Sequence, residues 1–443
     1  MAKCIRALVG LLSIALVSRV CAAATFTPLG ILSGYQGSIA NDISSDGSTV
    51  VGYSSSNSGG GGGWRWTAAT GLVALPNVTA GDNATPYGVS GNGSVIGGDE
   101  QSSDSLTLNG YLWSATQGPS FLSAPAGASR PSVRDVSSAG SAAAGIMSVA
   151  GNNEAFLWTS SAGITDLGKL PAAIDSRALG ISADGATVVG ASGTQPFLWT
   201  KAGGMVGLPS LPGATLTYGT AVTNNDTIVA GSGLFLGAPA ATFLEAFRWT
   251  SKTGSVSLGF LPGASSSQVG GMSLDGSMIV GSSGTAFVWT QASGMLNLKS
   301  VLSANGATGL TGWTLLAGNG VSGDGREIAG YGLDPAGHYE AFLATLPSFA
   351  TGDVNLDGIV NSQDIAFASS NWLQTGIGVT GDANGDGIVN TQDLALMSSN
   401  WLKSAAASNA AAVPEPATAL LALAAMMFLA WQQTWRKQIT KAR

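Results

Sequence analysis

The sequence predicts an all-β repeat domain, with a seven-bladed β-propeller as its architecture, followed by a small α domain with two acidic loops and a C-terminal transmembrane helix. Three observations support this prediction. A polar turn recurs seven times between residues 26 and 347, an aromatic strand pattern follows each turn, and a twelve-residue acidic pattern occurs twice after residue 350. With 443 residues, 64 glycines and 10% charged residues, the chain should contain several folded units.

The repeats are clearest at a polar turn followed by small and β-branched residues, as in SSDGSTVVG and SLDGSMIVG. Successive turns are 41 to 50 residues apart, which is a single length class. The turns are anchored at Asp46, Asn92, Ala139, Asp184, Asn225, Asp275 and Asp324. A second signature, such as EAFLWT, follows each turn and carries Trp66, Trp113, Trp158, Trp199, Trp249 and Trp289, with Ala344 in the seventh copy.

Each unit reads as four short strands with glycine-rich joints, and no helix is expected between residues 26 and 347. Units of this length match a four-stranded propeller blade. The last unit ends at FLATLP without a fourth strand, while FTPLGILSG at the start of the repeats resembles one. The N-terminal segment is therefore expected to complete the seventh blade. An open β-solenoid is the alternative architecture.

The tryptophans are expected to fill the space between neighbouring blades, because one aromatic ring buries a large apolar area. Platforms for stacking sugars are the alternative role. The Asp of each Ser-x-Asp-Gly turn is expected to be a turn residue, since Asp and Gly suit tight β-turns.

The N-terminal segment reads as a cleavable secretory signal, residues 1–24. It contains Lys3 and Arg6, then an apolar run and an Ala-Ala-Ala site. Cys4 and Cys21 both lie inside it, so a mature chain is expected to contain no disulfide.

Charge and histidine content narrow the function classes. Residues 25–412 contain 11 basic and 24 acidic residues, a net charge of −13, so nucleic acid is not an expected partner. His338 is the only histidine, which excludes a multi-histidine zinc site and leaves no choice of base for a Ser-His-Asp triad.

The two acidic patterns, DVNLDGIVNSQD and DANGDGIVNTQD, begin 29 positions apart at Asp353 and Asp382. Oxygen-bearing side chains stand at loop positions 1, 3, 5, 9 and 12, and Gly occupies position 6, where a calcium loop turns sharply. The spacing predicts two Ca²⁺ sites, with the carbonyl of position 7 as a further ligand. The predicted ligands are Asp353, Asn355, Asp357, Ile359, Asn361 and Asp364, then Asp382, Asn384, Asp386, Ile388, Asn390 and Asp393.

A short helix is predicted after each loop, and none before it, which makes these half EF-hands. Position 12 is Asp where ordinary EF-hands have Glu. Apolar residues at i, i+3 and i+7 should give each helix one apolar face. They are Ile365, Ala368 and Trp372 in the first helix and Leu394, Met397 and Trp401 in the second.

Two resemblances follow from these motifs. The AF-x-WT pattern of the repeats resembles the extracellular HAF repeats, which implies a secreted protein and supplies no catalytic residues. Residues 352–402 closely resemble type I dockerins, which implies calcium binding in both loops and docking to a cohesin domain. By that resemblance, loop positions 10 and 11 select the partner, and their near identity would permit two binding orientations. They are Ser362, Gln363, Thr391 and Gln392.

The C-terminal tail follows an Ala-rich linker, residues 405–412. Pro414, Glu415 and Pro416 precede an apolar run, residues 417–431, and a basic end. This arrangement resembles the PEP-CTERM sorting signal, which implies processing by an exosortase and a location in the envelope, surface or matrix of a Gram-negative-type bacterium. Residues 413–443 would hold a transmembrane segment, and a permanent membrane anchor is the alternative.

The expected organisation is a signal peptide, seven HAF-like repeats (25–347), a dockerin-like domain (348–404), the linker and the sorting tail. The expected function is that of an exported, non-catalytic protein that docks through calcium and cohesin and is associated with extracellular polysaccharide. One alternative is a propeller-type glycoside hydrolase or lyase delivered by its dockerin, and another is a structural matrix component.

Overall fold

The computed structural model of the protein describes residues 23–56, 61–104, 107–236 and 242–403, which belong to one compact unit. Nearly all of the predicted signal peptide, the Ala-rich linker and the whole sorting tail, including Pro414, Glu415 and Pro416, lie outside these residues. Within the described ranges, no helix combines the length and the apolar character needed to cross a membrane.

The repeats fold into seven four-stranded antiparallel sheets, the blades of a β-propeller. Blade 1 contains β2 (Gly37–Ile43), β3 (Thr49–Ser55), β4 (Gly61–Thr67) and β5 (Gly71–Ala74). Blade 2 contains β6 (Asn83–Val89), β7 (Val95–Gln101), β8 (Leu108–Ser114) and β9 (Gly118–Phe121). Blade 3 contains β10 (Ala128–Val136), β11 (Ala142–Val149), β12 (Asn152–Thr159) and β13 (Gly163–Asp166).

The next three blades follow the same order from the axis outward. Blade 4 contains β14 (Ser176–Ile181), β15 (Thr187–Ser192), β16 (Gln195–Thr200) and β17 (Gly204–Gly207). Blade 5 contains β18 (Leu216–Val222), β19 (Ile228–Leu236), β20 (Thr242–Thr250) and β21 (Gly254–Ser257). Blade 6 contains β22 (Gln268–Met272), β23 (Met278–Ser283), β24 (Thr285–Thr290) and β25 (Gly294–Asn297).

Blade 7 joins the two ends of the repeat domain. Its inner strands are β26 (Thr314–Val321), β27 (Glu327–Leu333) and β28 (Tyr339–Thr345), and its outermost strand is β1 (Thr25–Gly30). β1 pairs antiparallel with β28, with Thr25 opposite Thr345. The predicted seven-bladed propeller, closed by its N-terminal strand, is therefore confirmed, and the open solenoid is excluded.

The aromatic residue that fills each blade lies two positions before the signature Trp. Trp66, Trp158, Trp199 and Trp249 are only partly buried. The cross-strand neighbour of the filling residue is the glycine of the VVG-type pattern in most blades, and a Cβ at Gly145 would lie 2.7 Å from the Phe156 ring. The signature Trp residues do pack against the clusters between blades, as expected, but the aromatic residue two positions earlier is the more deeply buried one. The aromatic residues that fill blades 1 to 7 in this way are, in order, Trp64, Tyr111, Phe156, Phe197, Phe247, Phe287 and Phe342.

The Asp of the polar turn acts within its turn, as predicted. In blade 1, Ser44 Oγ donates to Asp46 Oδ1 at 2.6 Å, and the Ser48 N–H donates to the same oxygen at 2.9 Å. The Asp46 N–H donates to the Gly91 carbonyl in the turn of blade 2. These turns therefore also connect neighbouring blades.

The innermost strand of each blade carries a β-bulge at the same place, where the register shifts by one residue. All seven bulge residues line a cavity on the propeller axis. We call these residues the channel ring. They are Asn41, Tyr87, Arg134, Leu179, Thr220, Gly270 and Asn319.

The described part of the repeat region contains a helix that was not expected from the sequence, α1 (Leu298–Ala304), between blades 6 and 7. Asn297 caps its N-terminus by accepting a hydrogen bond from the Ser300 N–H. Leu298, Val301 and Leu302 are buried. Their i, i+3, i+4 spacing is the sequence pattern that could have predicted this helix.

After blade 7 the chain forms two loop–helix units, with α2 (Ser362–Ser370) and α3 (Thr391–Ser399). The half EF-hand prediction is borne out in outline, because a helix follows each loop and residues 346–352 and 371–381, which lead into the loops, are not helical. The helices end earlier than expected. Asn371 is the C-cap of α2, and Trp372 beyond it is 39% exposed, so Trp372 is not part of a buried helix face.

Candidate functional site

The first acidic loop, residues 353–364, is folded around its own side-chain oxygens. Asp353 accepts hydrogen bonds from the Asp357 N–H at 3.1 Å and the Gly358 N–H at 2.8 Å. Asn355 Oδ1 accepts from the same Asp357 N–H at 3.0 Å. Oxygens from positions 1 and 3 therefore converge on one point. Gly358 makes the sharp turn at φ 91°, a conformation that favours Gly.

Position 12 closes this loop onto its helix. Asp364 is fully buried and accepts from the Val354 N–H at 2.9 Å and the Asn361 N–H at 2.8 Å. The Asn361 side chain in turn accepts from the Gln363 N–H at 2.7 Å, which completes a capping box at the start of α2. Asn361 and Asp364 therefore start the helix as well as line the loop, a role that the sequence reading missed.

The second loop, residues 382–393, repeats this arrangement. Asp382 accepts from the Asp386 N–H at 3.1 Å and the Gly387 N–H at 2.9 Å. Asp393 accepts from the Asn390 N–H at 2.8 Å, again as part of a capping box. The two halves thus share their loop geometry and their helix starts.

Carboxylates crowd both loops. Burial, followed by the charges of Asp364 and Asp357, raises the pKa of Asp353 to about 7. Burial also raises the pKa of Asp364 and of Asp382. Each loop therefore holds negative charge at a cost that a bound cation would offset.

The donor set fits Ca²⁺, which takes six to eight hard oxygen ligands from carboxylates, amides and carbonyls. In the described part of the chain, no group of three or more His, Cys, Asp or Glu side chains is clustered as a metal site. The loops therefore suit a cation only if amide and carbonyl oxygens contribute, as positions 3, 7 and 9 allow.

The residues at loop positions 10 and 11 are on the surface. Ser362, Gln363, Thr391 and Gln392 are all exposed. Position 11 is also tied to the loop interior, because Asn355 Nδ2 donates to Gln363 Oε1 at 3.2 Å. Asn384 and Gln392 repeat this bond at 3.3 Å.

Apolar side chains are also exposed on this domain. The set forms corresponding pairs from the two halves at loop position 7 and just beyond each helix, where Leu373 and Leu402 have positive φ. Clusters of exposed apolar residues are typical of interaction surfaces. The exposed fractions are Ile359 44%, Ile388 42%, Leu373 66% and Leu402 59%.

Residues 351–400 match the family described as Dockerin type I domain. Type I dockerins bind calcium and dock to cohesin domains, and proteins that carry them are typically extracellular or on the cell surface. We call residues 351–403 the dockerin module. No curated protein matches the chain in sequence.

Several solved structures resemble the chain weakly. An oligogalacturonate lyase in complex with manganese is 13% identical with a TM-score of 0.44, covering 74% of this chain and 97% of the lyase. Virginiamycin B lyase from Staphylococcus aureus is 12% identical with a TM-score of 0.43, covering 73% and 99%. TolB from Acinetobacter baumannii is 12% identical with a TM-score of 0.37, and the match spans 71% of this chain and 65% of TolB. Likenesses at this level carry no argument about activity.

The dockerin module packs directly on the propeller. Asn305, the C-cap of α1, donates from Nδ2 to the carbonyl of Leu356 at 2.6 Å. Leu356, at position 4 of the first loop, is 4% exposed and packs in the cluster that contains Val301 and Leu302. The first loop is therefore anchored to the helix between blades 6 and 7.

A second anchor lies just before the second loop. Thr380 Oγ1 donates to the Ser293 carbonyl at 2.9 Å, and the Gly381 N–H donates to the Ala292 carbonyl at 3.0 Å. The module also covers Trp289, which is 1% exposed, and a Cβ at Gly378 would lie 2.8 Å from its Nε1. Trp289 is thus the signature Trp that the module buries. Neither anchor could be foreseen from the sequence motifs.

Proposed function

We propose that this protein is an exported, non-catalytic surface or matrix protein whose dockerin module holds two Ca²⁺ ions and docks to a cohesin domain. The observation that carries the proposal is the duplicated loop geometry with its partner-selecting residues exposed. The proposed ligands are Asp353, Asn355, Asp357, Ile359, Asn361 and Asp364, with Asp382, Asn384, Asp386, Ile388, Asn390 and Asp393.

Calcium dependence of docking follows from the contacts between loop and surface. A bound cation would fix Asn355 and Asn384, which donate to Gln363 and Gln392 beside them. Because both halves present the same chemistry, the cohesin can bind in two orientations related by the internal symmetry. The exposed apolar pairs, Ile359 with Ile388 and Leu373 with Leu402, supply apolar area for the same partner.

The terminal segments complete the proposal on sequence grounds alone. The signal-like N-terminus supports export, and the Pro414–Glu415–Pro416 tail supports recognition by an exosortase and placement at the envelope or in an extracellular polysaccharide matrix. The propeller is then the part displayed at that site. Glu340, a half-buried acid of the propeller, accepts from the Gly30 N–H at 3.0 Å and so holds the closing strand.

The docking proposal is tested by surface plasmon resonance of the full chain against immobilised type I cohesins. Binding is expected in Ca²⁺ and is expected to be lost in EGTA. Asp353→Ala combined with Asp382→Ala should abolish binding even in Ca²⁺. The control is Asp175→Ala, which breaks only a surface ion pair with Arg177 and should leave binding unchanged.

Two outcomes would overturn this reading. Binding that survives both EGTA and the double variant would exclude calcium-dependent docking. Release of reducing ends from a polysaccharide panel by the purified chain would exclude a non-catalytic propeller and favour a hydrolase or lyase.

A further inference from the structure

The channel ring is chemically uneven around the propeller axis. Blades 7, 1, 2 and 3 contribute polar side chains, which we call the polar arc: Asn319, Asn41, Tyr87 and Arg134. Blades 4, 5 and 6 contribute Leu179, Thr220 and Gly270. The same bulge recurs in every blade, so forming the bulges does not by itself require polar side chains on one side of the ring and not on the other. The cavity beside the ring has a volume of about 210 Å³.

The polar arc is held in place by contacts between blades. Asn319 Nδ2 donates to the Ala40 carbonyl at 2.8 Å, and Asn41 Nδ2 donates to the Pro86 carbonyl at 2.7 Å. The Arg134 guanidinium lies over the Tyr87 ring, 4.6 Å from its centroid. Side chains fixed in this way are preorganised for a ligand.

Two ring residues carry buried polar atoms without a hydrogen-bond partner. They are Thr220 Oγ1 and Arg134 Nε. Arg134 also meets Asp99 at 3.7 Å, too far for a hydrogen bond. A buried polar group without a partner destabilises a fold, so such groups call for an explanation such as a bound ligand or water. Both lie in the ring that lines the axial cavity.

Two partly buried carboxylates, Asp42 and Asp135, adjoin the ring, one residue beyond the bulges of blades 1 and 3. Asp42 Oδ2 accepts from the Val89 N–H at 2.9 Å, and Asp135 Oδ2 accepts from the Ile181 N–H at 2.9 Å. Burial raises the pKa of Asp135 to about 6 and that of Asp42 as well, and the charge of Asp135 adds to the rise at Asp42. With Arg134 as a nearby cation, these groups offer donors and acceptors without a strong excess of either charge.

We propose that the axial cavity binds one neutral sugar residue, with Tyr87 and Arg134 as its polar wall and Thr220 as a hydrogen-bonding group. The hydroxyl groups of a sugar both donate and accept hydrogen bonds. They therefore match the amide, guanidinium, hydroxyl and carboxylate groups around this small cavity. The cavity suits a single residue, such as a chain end, and not a strand threading along the axis. The inference rests on the proposed association with polysaccharide and names the site and ligand class.

The test is saturation-transfer difference NMR of the full chain with D-glucose, D-galactose and D-mannose, and with D-galacturonate as the acidic probe. At least one neutral hexose is expected to receive saturation. Thr220→Val should weaken that binding about two- to tenfold, the effect of one hydrogen bond. The matched control is Thr314→Val, an exposed residue of innermost strand β26, which should bind as the unaltered chain does.

Thr220→Val is not expected to unfold the protein, because it replaces an unpartnered buried hydroxyl with a methyl group of similar size. Tyr87→Leu should abolish hexose binding if this variant folds. If it does not fold, the test rests on Thr220→Val alone. The inference is overturned if none of the three neutral hexoses receives saturation, if only galacturonate does, or if Thr220→Val binds as tightly as Thr314→Val.

A cation held between the acids is distinguished in the same experiment. The chain that carries both Asp353→Ala and Asp382→Ala is titrated with CaCl₂. If the added Ca²⁺ removes the hexose signal, the cavity is a cation site and the sugar proposal fails. Cohesin binding is measured on the same samples. Intact, calcium-dependent docking without a hexose signal would overturn only this inference, and loss of docking with an intact hexose signal would overturn only the proposed function.

Discussion

The Asn305 side chain donates a 2.6 Å hydrogen bond to the carbonyl of Leu356, so the end of a propeller helix touches position 4 of the first calcium-type loop. Position 4 supplies no predicted ligand. Its backbone is nevertheless held at φ 56°, between predicted ligands at positions 3 and 5. The propeller therefore helps to hold the loop in the shape that gathers its oxygens.

Replacing Asn305 is expected to weaken calcium binding by the first loop. Asn305→Ala removes the hydrogen bond to the loop, worth about 1 kcal/mol, so the first-loop affinity should fall about fivefold. It also removes a bond to the Val301 carbonyl, which lies within the propeller. Isothermal titration in an Asp382→Ala background isolates that loop. The control is Asn153→Ala, an exposed residue at the start of β12. An affinity equal to that of the control would show that the propeller does not support the loop.

The loop assignments predict a calcium stoichiometry. The unaltered chain is expected to bind two Ca²⁺ ions in isothermal titration, because each loop has its own set of oxygen donors. Asp353→Ala and Asp382→Ala should each leave one ion, and the double variant none. Asp175→Ala should retain both, since it alters only an ion pair on the propeller surface. Two ions bound by the double variant would exclude these aspartates as ligands.

The strand that closes the ring should be important for stability. Phe26 in β1 is 9% exposed and packs edge-on to Trp313, with ring centroids 5.0 Å apart. Phe26→Ala is expected to lower the free energy of unfolding by about 3 kcal/mol in urea denaturation, as large truncations in a core do. Phe121→Ala, at a residue 38% exposed on an outermost strand, should cost much less. Equal losses would mean that β1 contributes little.

Two partly buried aspartates beside the axial cavity, Asp42 and Asp135, should make the stability of the protein depend on pH. The folded pKa of Asp135 is about 6, raised by burial from an ordinary value near 4. Its stabilising contribution is therefore complete below about pH 4 and is lost as the pH rises through about 6. Burial, and then the charge of Asp135, raises the pKa of Asp42 in the same direction.

Asp135→Asn does not titrate, so its stability relative to the unaltered chain should improve as the pH rises from 4 to 7, by about 1 to 3 kcal/mol. The loss of the Ile181 N–H hydrogen bond lowers stability at every pH and leaves this trend intact. Urea unfolding at four pH values measures it. A difference that stays constant would show that Asp135 titrates normally in the folded protein.

The blade architecture was predictable because it depends on local chemistry. Each Asp–Gly turn fixes a hairpin, and the absence of a fourth strand after FLATLP indicated that β1 would complete blade 7. The duplicated loops were predictable for the same reason, since their glycines and oxygens follow a fixed spacing.

Packing depth was less predictable. Phe197 and Trp199 are two positions apart and therefore lie on the same face of β16. The strand pattern alone does not show which of the two packs against the neighbouring sheet. The structure buries Phe197 fully and leaves Trp199 partly exposed. The channel ring was equally hidden, because a β-bulge depends on pairing with the adjacent strand. The contact of Asn305 with Leu356 joins residues 51 positions apart and carries no motif.

The N-terminal strand also sets the order in which the molecule can mature. The Gly30 N–H bonds to Glu340, 310 positions later in the chain, so blade 7 cannot form until the whole repeat region has been synthesised. Closing so long a loop is slow compared with forming local hairpins. The six blades built from consecutive strands can therefore assemble first, while β1 remains unpaired. Ring closure is therefore expected to be the last step of folding, and a chain arrested before that step would expose β28 as a free edge open to aggregation.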